Sequence, residues 1–246
     1  MAVKKILISQ NAPRVTTQYE SVTEKFGVEF TFEPFFRTEP LSAREFRTQK
    51  INIPDYTGII FSSRHSIDAF FALCEEIRYK VPETLKYFCT SELVAMYLQK
   101  HIVYRKRKIF YGNGTPESVV SLIFPKHKAE KLLLTTSDSS GNETLARLLE
   151  AQNLDFNTAI LVKSVSCDMS GEDLHSYDMI VFYNPADVRS LQENFPGFTQ
   201  GDIRFVSYGK GVVHAMEAAG LTITVKAPTP EAPSTAKAIE LYLESL

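Results

Sequence analysis

Short apolar runs alternate with longer amphipathic stretches from one end of the chain to the other. The runs predict strands at Lys5 to Ser9 (KILIS), Val28 to Phe32, Gly58 to Phe61 (GIIF), Tyr87 to Cys89 and Lys108 to Tyr111. Further strands are predicted at Lys131 to Thr135 (KLLLT), Thr158 to Val165, Met179 to Phe182 (MIVF), Ile203 to Ser207 and Thr222 to Lys226. Between them, apolar positions recur at helical spacing. Helices are predicted over Val15 to Phe26 (closed by Gly27), Leu41 to Lys50, Ser66 to Arg78, Glu92 to Lys100 and Thr115 to Phe124. Others cover Asn142 to Gln152, Ala186 to Asn194, Val212 to Ala219 and Ser234 to Glu244. Pro34 and the pair Phe35–Phe36 interrupt the alternation and read as a crossing segment. Strands alternating with helices imply an α/β chain with parallel sheets covered on both faces.

The pattern repeats. YTGIIFSSRHSIDAF (56–70) matches YDMIVFYNPADVRSL (177–191), with Tyr, Ile and Phe in register at 56/177, 59/180 and 61/182. FCTSELVAMYL (88–98) answers VSYGKGVVHAM (206–216), and KILIS (5–9) answers KLLLT (131–135). Matches in three places argue for two similar doubly wound lobes rather than a short-period solenoid.

Composition narrows the class. With 246 residues and 44% hydrophobic content the chain can fill two modest cores. A net charge of -2 offers no global basic excess for nucleic acid. No stretch approaches the ~20 apolar residues of a membrane helix, and the N-terminal run is too short for a signal peptide. Three dispersed cysteines fit a reduced, cytoplasmic setting.

In a parallel sheet, ligands meet the loops at the carboxyl ends of the strands. The candidates there are Ser62–Ser63–Arg64–His65, Thr90–Ser91, Thr136–Ser137–Asp138–Ser139–Ser140, Tyr183–Asn184–Pro185 and Tyr208–Gly209–Lys210. Hydroxyls and free amides at helix starts suit carboxylates or phosphates. Taken alone, each loop is better explained by helix capping, and only several such loops facing one cleft would favour a ligand. The five histidines lack metal-ligand spacing, so no metal is expected. No glycine-rich dinucleotide loop follows the first strand, where Ser9 to Arg14 reads SQNAPR, and neither a phosphate-binding lysine loop nor a nucleophile elbow occurs. The basic run Arg105–Lys106–Arg107–Lys108 reads as a protected strand edge, or alternatively as a lure for a polyanion.

In KKILIS, YTGIIFSSRHSIDAFF, KYFCTSELVAMYLQKHIVYRKRKIFYGNG and VKAPTPEAPSTAKAIELYL, taken in this order, the chain resembles the uroporphyrinogen-III synthase family over nearly its whole length. The resemblance implies a discontinuous domain of residues 1–34 plus 166–246, an inserted domain of residues 38–162, and linkers at 35–37 and 163–165. It also implies a cofactor-free monomer acting on a linear tetrapyrrole, hydroxymethylbilane. That substrate loses water, has its fourth ring inverted through a spiro intermediate, and closes to uroporphyrinogen III. Because it also closes unaided without inversion, the protein's task is largely orientation. The expected grips are Ser62, Ser63, Arg64, Thr90, Ser91, Thr136, Ser137, Asn184, Tyr208, Gly209 and Lys210.

The chain departs from the family's pattern in places. Val162 stands where a tyrosine is usual, Val94 and Val212 fall in helix starts that usually carry Thr-Ala, and Asn184–Pro185 replaces Ser-Pro. These departures leave a second reading, a homologue that holds a tetrapyrrole or other polycarboxylate without turnover. A third, from another class, is a two-lobe binding or regulatory protein. If these departures merely weaken the synthase, Val162→Tyr is expected to raise its activity.

Overall fold

A computed structural model describes residues 3–138 and 142–246. The chain divides into two compact units, residues 1–37 with 165–246 and residues 38–164. It passes between them inside two strands, β3 (Phe36–Pro40) and β8 (Phe156–Ser166).

The first unit holds β1 (Lys5–Ile8), α1 (Thr17–Phe26) and β2 (Glu29–Phe32), then β9 (Met179–Phe182), α7 (Pro185–Asn194) and β10 (Arg204–Tyr208), then α8 (Lys210–Ala218), β11 (Ile223–Ala227) and α9 (Thr235–Glu244). Its sheet runs β11-β10-β9-β1-β2, and all four pairings are parallel. Consecutive residues of β1 point to opposite faces, as the period of a strand requires. Leu7 enters the core with Phe182, Phe205 and Leu191, while Ile6 and Ile8 enter the core on the other face with Val22, Val181 and Ile239. Burial on both faces explains why β9 is MIVF without a polar position. Gly27 closes α1 at φ 68°, a conformation that costs glycine little.

The second unit holds α2 (Ala43–Arg47), β4 (Gly58–Phe61), α3 (Arg64–Glu76), β5 (Lys86–Cys89), α4 (Glu92–Tyr97) and β6 (Ile109–Tyr111), followed by α5 (Pro116–Ile123), β7 (Leu132–Ser137) and α6 (Glu143–Ala151). Its sheet runs β3-β8-β7-β4-β5-β6. The pairings of β7 with β8, β4 with β7, β4 with β5 and β5 with β6 are parallel. Ile59 and Phe61 pack on one face and Ile60 on the other.

The sequence repeat has a topological counterpart. β9, β10 and β1 occupy in the first sheet the places that β4, β5 and β7 occupy in the second. Numbered along the chain, the first sheet has the order 2-1-3-4-5. Apart from its extra edge strand β3, the second has the same layout entered at its third strand, so the shared five strands of the two units are circular permutations of one doubly wound sheet. The strand order reverses between β1 and β9 in one unit, and between β7 and β4 in the other.

Several boundaries differ from those the sequence predicts. Thr136 and Ser137, expected in a loop, are the last residues of β7, and Tyr208 is the last of β10. Backbone pairing with the neighbouring strands continues through these polar side chains. Arg64 and Lys210, also expected in loops, open α3 and α8. The basic run ahead of β6 borders an edge strand, and Arg105 is paired with Glu83 at 2.9 Å.

Candidate functional site

The carboxyl ends of β1 and β9 flank the switch point of the first unit, and a pocket of about 350 Å³ opens there. Ser9, Gln10, Asn11, Tyr183, Asn184 and Asp187 contribute to its lining, together with Pro34 and Phe36. Asn184 caps α7 by accepting the Ala186 N–H at 2.9 Å. Asp187, in the first turn, reaches back so that its Oδ2 accepts from the N–H groups of Asn184 and Tyr183, each at 2.8 Å. The Ser9 hydroxyl donates to the same oxygen at 2.8 Å. The carboxylate is fully buried, and its Oδ1 has no hydrogen-bond partner. Burial pushes the Asp187 carboxyl up to about 6 against the pull of these three donors. Nearby, the Tyr183 hydroxyl donates to Thr235 at 2.6 Å, and the Tyr183 and Tyr208 rings lie 5.4 Å apart. Gly209 starts α8 at φ 106°, with no side chain to cap it.

The second unit's switch point is tied together by hydroxyl and amide groups, with the charged side chains of Arg64 and Asp138 at the same edge. Ser63 caps α3, accepting the Ser66 N–H at 3.1 Å, while Ser66 Oγ donates to the Ser63 carbonyl at 2.8 Å. The Asn142 side-chain amide donates to Ser62 Oγ at 3.1 Å and to the Thr135 carbonyl at 2.9 Å, joining the ends of β4 and β7. Thr90 Oγ1 donates to the Ser62 carbonyl at 3.3 Å. Ser91 caps α4 through the Val94 N–H. Arg64 is exposed, with its guanidinium over the Tyr97 ring at 5.5 Å.

Ser62, Ser63, Arg64, Thr90, Ser91, Thr136 and Ser137 thus share the carboxyl edge of one sheet. Asn184, Tyr208, Gly209 and Lys210 share that of the other. Ser139 and Ser140 lie outside the described residues. Sequence reasoning overlooked Ser9, Gln10, Asn11, Asn142 and Asp187. The pairing of KILIS with KLLLT carried the signal for the first three: if the residues after β7 are candidates, so are those after β1. Val162 is buried in the core of the second unit beside Phe46, Leu133 and Leu161, and its carbonyl accepts the Asp138 N–H. Valine there fills a packed interior. Among the described residues, no group of His, Cys, Asp or Glu is arranged to hold a metal ion, and no helix is long and apolar enough to cross a membrane.

Two permuted doubly wound units, whose described carboxyl edges are rich in hydroxyls and amides, define a two-domain α/β protein. A family model described as uroporphyrinogen-III synthase HemD matches residues 17–237. The chain belongs to the uroporphyrinogen-III synthase family, cofactor-independent lyases of heme biosynthesis. Among solved structures, uroporphyrinogen-III synthetase from Helicobacter pylori is similar with a TM-score of 0.55 at 15% identity, over 99% of this chain and 100% of that one. A mutant uroporphyrinogen III synthase from the extremely thermophilic bacterium Thermus thermophilus is similar with a TM-score of 0.51 at 13% identity, over 99% and 100%. At these identities the likeness concerns the fold. Among curated proteins, none matches the chain.

Proposed function

We propose that this chain converts hydroxymethylbilane to uroporphyrinogen III, acting as a cytoplasmic monomer. The observation that carries the reading is the family match across residues 17–237. The site chemistry agrees with it. Orientation of a polycarboxylate calls for many weak, directional donors rather than one strong catalytic group. The second unit's edge supplies such donors. Ser62, Ser63, Thr90, Ser91, Ser137 and Arg64 are the groups we assign to acetate and propionate side chains there. In the first unit we assign the Lys210 amide at the start of α8, where no side chain caps the helix, with Asn184 and Tyr208 beside it; the Gly209 amide already donates to the Ala227 carbonyl at 2.7 Å. Three free cysteines, two of them buried, suit a reducing compartment.

The test is consumption of freshly prepared hydroxymethylbilane, with chromatography of the oxidised products. Faster consumption with type III product is expected. Type I product alone, at the spontaneous rate, would overturn the reading and favour a protein that binds a polycarboxylate without turnover.

A further inference from the structure

The basic run ahead of β6 lies at the end of the second sheet opposite to the carboxyl edge. Residues 81–85 lead into β5 and residues 102–108 lead into β6, and a pocket of about 180 Å³ lined by both segments opens at this amino edge. Val81, Leu85, Ile102 and Ile109 give it apolar walls, and Val103, also in the lining, is 78% exposed. Cavities of about 150 Å³ with apolar walls take up benzene, so one ring or a short alkyl chain fills such a space. Two polar groups of the lining lack partners. Tyr87 is 4% exposed, and its hydroxyl makes no hydrogen bond among the described residues. Asp187 Oδ1 and Ser207 Oγ are the polar side-chain atoms found both unpartnered and sealed from solvent among the described residues, so the Tyr87 hydroxyl stays accessible, in a residue that lines this pocket. Burial raises its proton affinity, which keeps it a donor. Lys108 is half-buried and has no carboxylate partner among the described residues, whereas Arg105 is committed to Glu83 at 2.9 Å. Protection of a strand edge accounts for exposed cations, not for a hydroxyl left open in an apolar pocket.

Charge, walls and hydrogen bonding together select the ligand. Both open groups donate, so the ligand must supply acceptors. The ammonium calls for negative charge, and a carboxylate carries two oxygens, one for Lys108 and one for Tyr87. A cation would meet Lys108 and Arg105, and a neutral acceptor would leave the ammonium without a counter-charge. A compact anion such as phosphate would give up hydration against walls that return nothing to it. We propose that this pocket binds a small amphipathic monocarboxylate, its ring or short alkyl body against Val81, Leu85, Ile102 and Ile109 and its carboxylate shared by Lys108 and Tyr87. The site lies at the sheet edge opposite to Ser62, Thr90 and Ser91, so its ligand leaves the carboxyl edge free. The inference therefore stands apart from the reading of the chain as a synthase.

Calorimetry on the full chain tests this with three probes: benzoate, benzyl alcohol and inorganic phosphate. The native protein is expected to bind benzoate with a Kd below about 1 mM, the range open to a ligand of this size. Benzyl alcohol and phosphate should each bind about tenfold more weakly or worse. Lys108→Met keeps the aliphatic stem and removes the charge, and should bring benzoate down to the affinity of benzyl alcohol. Tyr87→Phe keeps the ring and removes the hydroxyl, and should weaken benzoate about threefold or more. Val81→Phe fills the pocket and should abolish binding of both organic probes. Melting temperatures without ligand check that each variant is folded, and benzoate should raise the melting temperature of the native chain but not of Val81→Phe. Lys108 is at the surface, so its variant carries the test even if the other two fold poorly. The proposal is overturned if benzoate shows no saturable binding, if phosphate binds as tightly as benzoate, or if folded Lys108→Met keeps the native affinity for benzoate.

Discussion

The two switch points start from the same plan and end with opposite polarity. After β4, α3 is closed by Ser63 and Ser66; after β9, α7 is closed by Asn184 and Asp187. Thr135, within β7, donates to a backbone carbonyl of β4, while Ser9, after β1, donates to Asp187. The strand order around each site is the same, and so is the box that satisfies the first-turn amides. Those features answer to physics that any copy must obey: both sheet faces must be buried, and helix N–H groups must be paired. The third residue of the helix is freer. One copy buries the Ser66 hydroxyl, which donates to the Ser63 carbonyl; the other buries the Asp187 carboxylate, which accepts from Ser9, Tyr183 and Asn184. The two units share what holds the sheet and differ at the third residue of the helix.

The largest expected effect comes from that buried charge. Asp187 binds its proton more tightly in the folded chain, up to about 6, than the 3.8 of a free aspartate. Between those values the folded state holds more protons, so its stability falls as pH rises through the window and stays lower above it. The penalty is about 3 kcal/mol. Urea unfolding of native protein and Asp187→Asn should therefore diverge by about that much, in the variant's favour, between about pH 3.5 and about pH 7. Parallel pH curves would place the charge elsewhere.

A smaller effect separates site from core. Val162→Tyr forces a ring into the packed interior of the second unit and should cost about 1–3 kcal/mol without raising activity. A gain in activity at unchanged stability would return this position to the site, as the family pattern alone suggests. The smallest effect probes what the copies still share. Ser63→Ala and Asn184→Ala each remove one cap and should each lower stability by about 1 kcal/mol, measured by the urea midpoint. Very unequal losses would mean that the two boxes differ in more than the polarity of Ser66 and Asp187.

The central strands were legible in the sequence because burial on both faces leaves no room for a polar residue. GIIF and MIVF coincide with β4 and β9 to the residue. Their polar ends were not. Thr136, Ser137 and Tyr208 remain in strands by backbone pairing, to which a side-chain pattern is blind. The edge strand β3, FRTEP, lacks apolar alternation, so its side-chain pattern marks only a crossing. Half of the candidate site followed from strand ends and cap chemistry. Asp187 did not, because a charged residue in an amphipathic helix reads as a solvated position. Its burial depends on Ser9, 178 residues away along the chain.

The most direct measurement is the isomer composition formed from freshly prepared hydroxymethylbilane, with the native protein and with no protein side by side. The account predicts predominantly type III product from the native chain and type I product from the control. Type I product alone from the native chain would contradict it.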